Sequence, residues 1–349
     1  MKATLIYGPH DIRFETVPDP ELRMPTDAIV RVTACCVCGS DLWRYRGIVP
    51  VAQPARIGHE FVGIVEEVGD EVTTVRPGDF VIGPFWVSDG TCINCRHGIT
   101  PSCLNGCGWG GTDHWGLPVD GCQGEAVRVP LADGTLVATP EPPERALIPS
   151  LLSLSDVMGT GHHAAVAAGV APGSSVVVVG DGAVGLCGVL AAKRLGAARI
   201  IAMSHHPDRQ ALAGAFGATD IVGERGAAGA AAVKEMLDGI GADSVLECVG
   251  TAVSMQQAID SARPGGHVGY VGLPAGGAEL PIEQMFRANV GVAGGVAPVR
   301  VYLPELLRDV LAGHINPGRV FDLELPLREV AEAYAAMDER RSIKTLLWP

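Results

Sequence analysis

No stretch of 18 or more residues in this 349-residue chain stays apolar without a charge or a Gly-rich turn, which argues against a membrane-spanning helix. Positive charge is also scarce. Lys and Arg number 26 against 39 Asp and Glu, a formal net charge of -13. A nucleic-acid partner, which demands clustered basic residues against phosphate, is therefore not expected. The first residues, MKATLIYGPHDIRFE, lack the apolar segment and small-residue cleavage site of a secretory leader, so a cytoplasmic location is expected. Tandem repeats and low-complexity tracts are missing as well.

What is present allows a large core. Hydrophobic residues make up 47% and charged residues 19%, and the length suggests two domains. Ten cysteines in a small secreted protein would imply disulfides. In a long chain without a leader, those at ligand spacing read as metal ligands and the rest as small buried hydrophobes.

The first 150 or so residues carry short alternating runs, AIVRVTA (28–34) and HEFVGIVEEVG (59–69), separated by turn signals such as RPGD (76–79). These predict antiparallel strands in a β-rich domain. From about residue 155 the texture changes. Apolar runs at 174–180, 198–204, 219–222, 242–250 and 266–272 alternate with Ala/Leu-rich helical segments. Strands buried on both faces and alternating with helices predict a parallel sheet wound with helices, an α/β fold.

The sharpest local signal is VVVVGDGAVG. Gly180, Gly182 and Gly185 form G-x-G-x-x-G after a strand and before a helix opening at Ala183 and Val184, the pattern of a dinucleotide-binding turn. Here the anion rests on the helix N-terminus, where unpaired N–H groups and the dipole favour it. Some twenty residues on, a carboxylate would select NAD by accepting bonds from the adenosine ribose. This chain instead reads SHHPDR, with Ser204, His205 and, one turn later, Arg209. With no acid at the strand tip to repel a 2′-phosphate, NADP is expected over NAD. Asp208 stands as the alternative ribose partner.

Three segments supply possible metal ligands: CCVCGSD (35–41), IGHEFVG (57–63) and LSDVMGTG (154–161). Cys38, His59 and either Glu60 or Asp156 would provide thiolate, imidazole and carboxylate, and a catalytic zinc takes three protein ligands with a fourth position open. A second cluster, Cys92-x2-Cys95-x7-Cys103, has the spacing of a closed structural zinc site. The stretch CGWGGTDHWG (107–116) reads as a loop whose Trp109 and Trp115 either line a pocket or cover apolar surface.

Taken in order, C-G-S-D, G-H-E-x-x-G-x-V, D-V-M-G-T-G and V-V-V-V-G-D-G-A-V-G resemble the zinc-containing medium-chain dehydrogenases over essentially the whole chain, including the final RSIKTLLWP. The resemblance implies a Rossmann-type doubly wound parallel sheet (155–293) and a discontinuous β-rich, GroES-like catalytic domain (1–154 and 294–349). It implies Cys38, His59 and Asp156 as catalytic zinc ligands, with Glu60 a neighbouring carboxylate able to enter or leave the zinc sphere. Ser40 matches the hydroxyl that receives the alcohol proton, and Asp41 is expected to orient His59. Thr160, Cys248, Val249, Val271 and Leu273 match the surfaces that hold nicotinamide. The structural-zinc lobe of the family has four cysteines; Asp89 stands where the first should be, with Cys107 the rival fourth ligand.

One departure matters. Where the family commonly carries a relay His after C-G-S-D-L, this chain has Trp43. Protons then leave by another route, or the enzyme works mainly as a reductase. The expected activity is hydride transfer between NADP(H), or NAD(H), and an alcohol–aldehyde or alcohol–ketone pair, in a homodimer or homotetramer. The alternatives are a polyol dehydrogenase, a conjugate (C=C) reductase, and last a non-catalytic NAD(P)-binding sensor.

Overall fold

The computed structural model describes residues 1–274 and 279–349. The chain divides into two compact units, Met1–Asp156 with Pro298–Pro349, and Val157–Ala297.

The first unit is built on a seven-stranded sheet beside a three-stranded one. The alternating run predicted at 28–34 is the strand Ala28–Cys36, which pairs antiparallel with Phe61–Val68, Val32 lying opposite Gly63. Inward residues of this pair, Val30, Val32, Phe61 and Val65, join Leu136, Tyr334 and Leu347 in one core. Each such aliphatic or aromatic side chain removed from water contributes about 1.5–3 kcal/mol. The last strand, Thr345–Trp348, pairs antiparallel with the end of Ala28–Cys36, Leu346 opposite Cys36. The chain's final residues thus lie beside the segment that leads to Cys38.

The second unit is a six-stranded parallel sheet. Its order is Asp220–Val222, Arg199–Met203, Ser175–Val179, Ala242–Glu247, Ala262–Tyr270, Gly291–Gly294. Ser175–Val179 carries four successive β-branched valines and has a parallel neighbour on each side, Val177 facing Ile201 on one and Val245 on the other. Four of its five residues are buried, which is why the sequence shows a continuous apolar run and no alternation. Strand order reverses direction at this strand, and in open α/β sheets ligands bind outside the carboxyl ends at that point. The doubly wound sheet and the β-rich partner domain expected from sequence are both present. The apolar run at 242–250 stops being strand at Glu247. There the buried Glu247 carboxylate accepts hydrogen bonds from the Val249 and Gly250 amides, 2.9 Å each, and turns the chain. No helix among the described residues is long and apolar enough to cross a membrane.

Candidate active site

Cys38 follows the strand Ala28–Cys36 and precedes the short helix Asp41–Tyr45. His59 comes from the turn before Phe61–Val68. That turn needs Gly58, whose φ is +95° and where a Cβ would stand 2.4 Å from Gln123 Cγ. Asp156 follows the helix Ile148–Ser153. Three segments far apart in sequence therefore converge. One ligand atom each from Cys38, His59, Glu60 and Asp156 lies within 4.8 Å of all the others.

The imidazole is held in a defined pose. Asp41 Oδ1 lies 3.2 Å from His59 Nδ1, which leaves Nε2 facing the cluster, 3.5 Å from Asp156 Oδ2. Asp41 is held in turn, because Oδ2 accepts the Cys38 amide at 3.0 Å and faces Gln123 Nε2 at 3.5 Å. Gln123 also donates to the Cys36 carbonyl and accepts from the buried Tyr334 hydroxyl. Ser40 Oγ, on the exposed side, is 3.5 Å from His59 Nε2. Burial works against a charged imidazole, yet the neighbouring Asp41 and Cys38 raise the His59 pKa well above its ordinary value.

Glu60 is fully buried, and its Oε1 accepts a 2.7 Å hydrogen bond from the equally buried Lys344 ammonium. Lys344 also donates to the Val37 carbonyl at 3.2 Å. Burial pushes the Glu60 carboxyl up while Lys344 pulls it back. Its other oxygen, Oε2, is buried with no hydrogen-bond partner among the described residues. A buried carboxylate oxygen left unpaired beside a thiol, an imidazole and a second carboxylate is a donor set that a zinc ion satisfies.

The second cluster is local. Asp89, Cys92, Cys95 and Cys103 also bring one ligand atom each within 4.8 Å of one another. Asp89 Oδ1 accepts the Thr91 and Cys92 amides at 2.7 and 2.9 Å, and Asn105 Nδ2 reaches Oδ2 at 2.7 Å. Burial opposes the Asp89 carboxylate, but these donors hold it below the usual range. The Leu104 amide, aimed at Cys92 Sγ, lowers that thiol too. Two groups are thus biased toward the anionic form a cation needs. Cys107 is not in this group. It packs with Val87 and Val119, where burial raises its thiol to about 11. Trp109 is similarly committed, its Nε1 donating to the Pro84 carbonyl and its ring meeting Phe61 edge-on at 5.3 Å. Trp115 is 39% exposed, and Trp43 is half-buried on Asp41–Tyr45.

In the second unit, Ser175–Val179 ends at Gly180 and the helix Ala183–Arg194 begins after Gly182. A Cβ on Gly185 would stand 1.9 Å from the Gly180 carbonyl, while the space over Gly182 is open to 4 Å. No side chain caps that helix, so its first amides, from Ala183 and Val184 on, suit a pyrophosphate. Ser204 is buried just past Arg199–Met203, His205 is exposed, and Arg209 is half-buried. The Cys248 amide bonds the Val179 carbonyl, and the Val271 amide the Glu247 carbonyl. Val249 and Leu273 are exposed at the same strand ends, and Thr160 lies half-buried on the helix Val157–Ala167.

Residues 24–141 match the Alcohol dehydrogenase GroES-like domain and residues 183–311 the Zinc-binding dehydrogenase family. A protein of Mycobacterium tuberculosis named "Probable zinc-binding alcohol dehydrogenase" is 36% identical over 97% of this chain and 86% of its own length. The chain belongs to the zinc-dependent medium-chain dehydrogenases. The alcohol dehydrogenase TADH from Thermus sp. ATN1 superposes on this medium-chain dehydrogenase with a TM-score of 0.92, covering 100% of this chain and 99% of that one at 33% identity. An NADP-dependent isopropanol dehydrogenase of Clostridium beijerinckii is 34% identical over 82% of this chain and 81% of its own length. Membership makes this dehydrogenase an alcohol dehydrogenase-like oxidoreductase that uses zinc and a nicotinamide cofactor.

Three groups in its site escape a reading of motifs alone. Gln123 and Tyr334 lie far from any ligand motif, and only the fold brings them to Asp41. Lys344 had a signal, a cation set between Ile343 and the apolar final strand Thr345–Trp348, whose neighbours foretell burial.

Proposed function

We propose that this chain transfers hydride between NADP(H) and a primary or secondary alcohol and its aldehyde or ketone, with Cys38, His59 and Asp156 as catalytic zinc ligands. The observation that carries the reading is the convergence of those residues around an imidazole already oriented by Asp41. Bound there, zinc supplies Lewis acidity, which lowers the pKa of a hydroxyl or polarises a carbonyl. Nicotinamide supplies the hydride chemistry.

The protein's own part is positional. Cys38, His59 and Asp156 would hold the metal, and Glu60, whose Oε1 bonds Lys344 and lies 4.0 Å from His59 Nε2, is held beside them. Ser40 accepts the alcohol proton, and Asp41 fixes the His59 tautomer. Asp89, Cys92, Cys95 and Cys103 hold a second, structural zinc. Residues 1–154 and 294–349 serve as the catalytic domain and 155–293 as the dinucleotide domain. In the latter, Gly180, Gly182, Ala183, Val184 and Gly185 cradle the pyrophosphate, and Ser204, His205 and Arg209 face the adenosine ribose. Thr160, Cys248, Val249, Val271 and Leu273 line the nicotinamide. NADP is favoured because Ser204 and His205, not an acid, follow the strand Arg199–Met203; the related isopropanol dehydrogenase is named as NADP-dependent. With Trp43 in the relay position, protons leave by another route or the enzyme works mainly as a reductase. The enzyme works as a cytoplasmic homodimer or homotetramer.

The test follows nicotinamide absorbance with NADPH and a panel of aldehydes, ketones and enals, before and after metal chelation. Carbonyl turnover lost on chelation and restored by zinc supports the reading. Chelation-resistant reduction of enals alone replaces it with a conjugate reductase.

A further inference from the structure

Four ionisable groups gather at the carboxyl ends of two adjacent parallel strands, Arg199–Met203 and Asp220–Val222, beside the glycine turn. They fall into two sets. In the first, Asp181, the residue between Gly180 and Gly182, accepts the Ser204 hydroxyl on Oδ2 at 2.7 Å. Arg209 Nη1 donates to the Asp181 carbonyl at 3.2 Å and lies 3.4 Å from Oδ1. Asp181 and Arg209 are both largely buried, with side-chain exposures of 16% and 14%. The Ser204 proton and the Arg209 charge are therefore committed, and the pair is neutral as a unit.

The second set is different. The Ser204 amide bonds the Val222 carbonyl at 3.0 Å, which ties together the loops leaving the two strands. Across this seam Arg225 Nη2, from the loop after Asp220–Val222, lies 3.4 Å from His205 Nε2. Both residues are exposed, and among the described residues Arg225 makes no ion pair. Apart from that Nη2 contact with His205, its guanidinium is a planar fork of donors suited to a phosphate oxyanion.

The geometry points to a division of labour in cofactor choice: Arg225, with His205, reads the 2′-phosphate of NADP, while Asp181 holds Ser204 and Arg209 as a neutral cradle for the ribose. This rests on the NADP reading above and deepens it. With the Asp181–Arg209 pair neutral, that pair brings no net charge to a 2′-phosphate, and Arg225 supplies the positive charge that favours NADP.

The test is calorimetric titration of the purified protein with adenosine 2′,5′-bisphosphate and with 5′-AMP, which differ only in the 2′-phosphate and need no catalysis. The wild type is expected to bind the bisphosphate more tightly. Arg225→Gln should weaken bisphosphate binding by roughly tenfold or more, as loss of a charge-assisted bond does, and leave 5′-AMP binding unchanged. Arg225→Lys should retain part of the preference. Asp181→Asn, which releases Arg209, should strengthen bisphosphate binding. A wild type that binds both ligands equally overturns the NADP reading itself. A wild-type preference that survives Arg225→Gln but is lost in Arg209→Gln keeps NADP and overturns the division.

Discussion

The two candidate metal-ligand clusters differ in composition, Asp89 with three thiols against Cys38 with His59 and two carboxylates, and are opposite in construction. Asp89 and Cys103 are 14 residues apart and bonded through the Asp89 amide, so the whole lobe folds around one short loop. Cys38 and Asp156 are 118 residues apart, and their contact at 3.7 Å exists only because a sheet and a helix both deliver their ends to it. The local cluster uses backbone amides to bias two of its donors, Asp89 and Cys92, toward anions. The distant one uses other side chains, Asp41 on His59 and Lys344 on Glu60. A loop alone makes the local cluster, whereas the distant one is braced by side chains outside its ligand group.

That difference predicts separable losses. Cys38→Ala should remove one of two zincs by elemental analysis and cut turnover by more than about 10³-fold, since the Lewis acid is lost, with little change in melting. Cys95→Ala should also remove one zinc, yet its main effect should be on thermal stability, because structural zinc contributes folding energy directly. If both variants lose activity and stability in equal measure, the clusters are not independent and the contrast fails.

Lys344→Met tests the brace from the C-terminal strand. Breaking a buried ion pair from one side costs about 3–5 kcal/mol, so denaturant unfolding should show a large loss of stability. A double variant that also carries Glu60→Gln should recover part of it. No recovery would mean that Lys344 acts through packing alone.

Asp41→Asn should reduce zinc affinity or activity by roughly 10–100-fold, the usual effect of removing a histidine's orienting partner. The fold should remain intact, checked by circular dichroism. The smallest effect belongs to Cys107→Ala. Its side chain is packed among Val87 and Val119 and takes no part in the ligand group, so both zincs should remain, with stability lower by about 1 kcal/mol. Loss of a zinc in this variant would restore Cys107 over Asp89 as the fourth ligand.

Much of this architecture was legible beforehand, for identifiable reasons. The parallel sheet announced itself because strands such as Ser175–Val179 are buried on both faces and must be apolar throughout. The glycine turn was readable because backbone crowding at Gly185 admits no side chain. The Cys92, Cys95 and Cys103 spacing was readable because its contacts are local. Asp181 was not: within G-x-G-x-x-G it occupies a position free to vary, and its meaning comes from Ser204 and Arg209. Trp109 fits a pocket wall or an apolar cover equally by sequence, and only its edge-on contact with Phe61 and its bond to the Pro84 carbonyl separate the two.

By itself, then, the sequence determined the fold class, the glycine turn and the types of residue able to ligate metal, because periodicity, backbone crowding and ligand chemistry are properties of short segments. Only the tertiary structure decided which donors meet. Asp156 joins both Cys38 and His59, Asp89 displaces Cys107, Lys344 buries its charge against Glu60, and Arg209 spends its charge on Asp181 while Arg225 keeps its own. Each of these depends on distances between segments remote along the chain, and electrostatic and coordination energies fall within a few ångströms, a scale no linear spacing encodes.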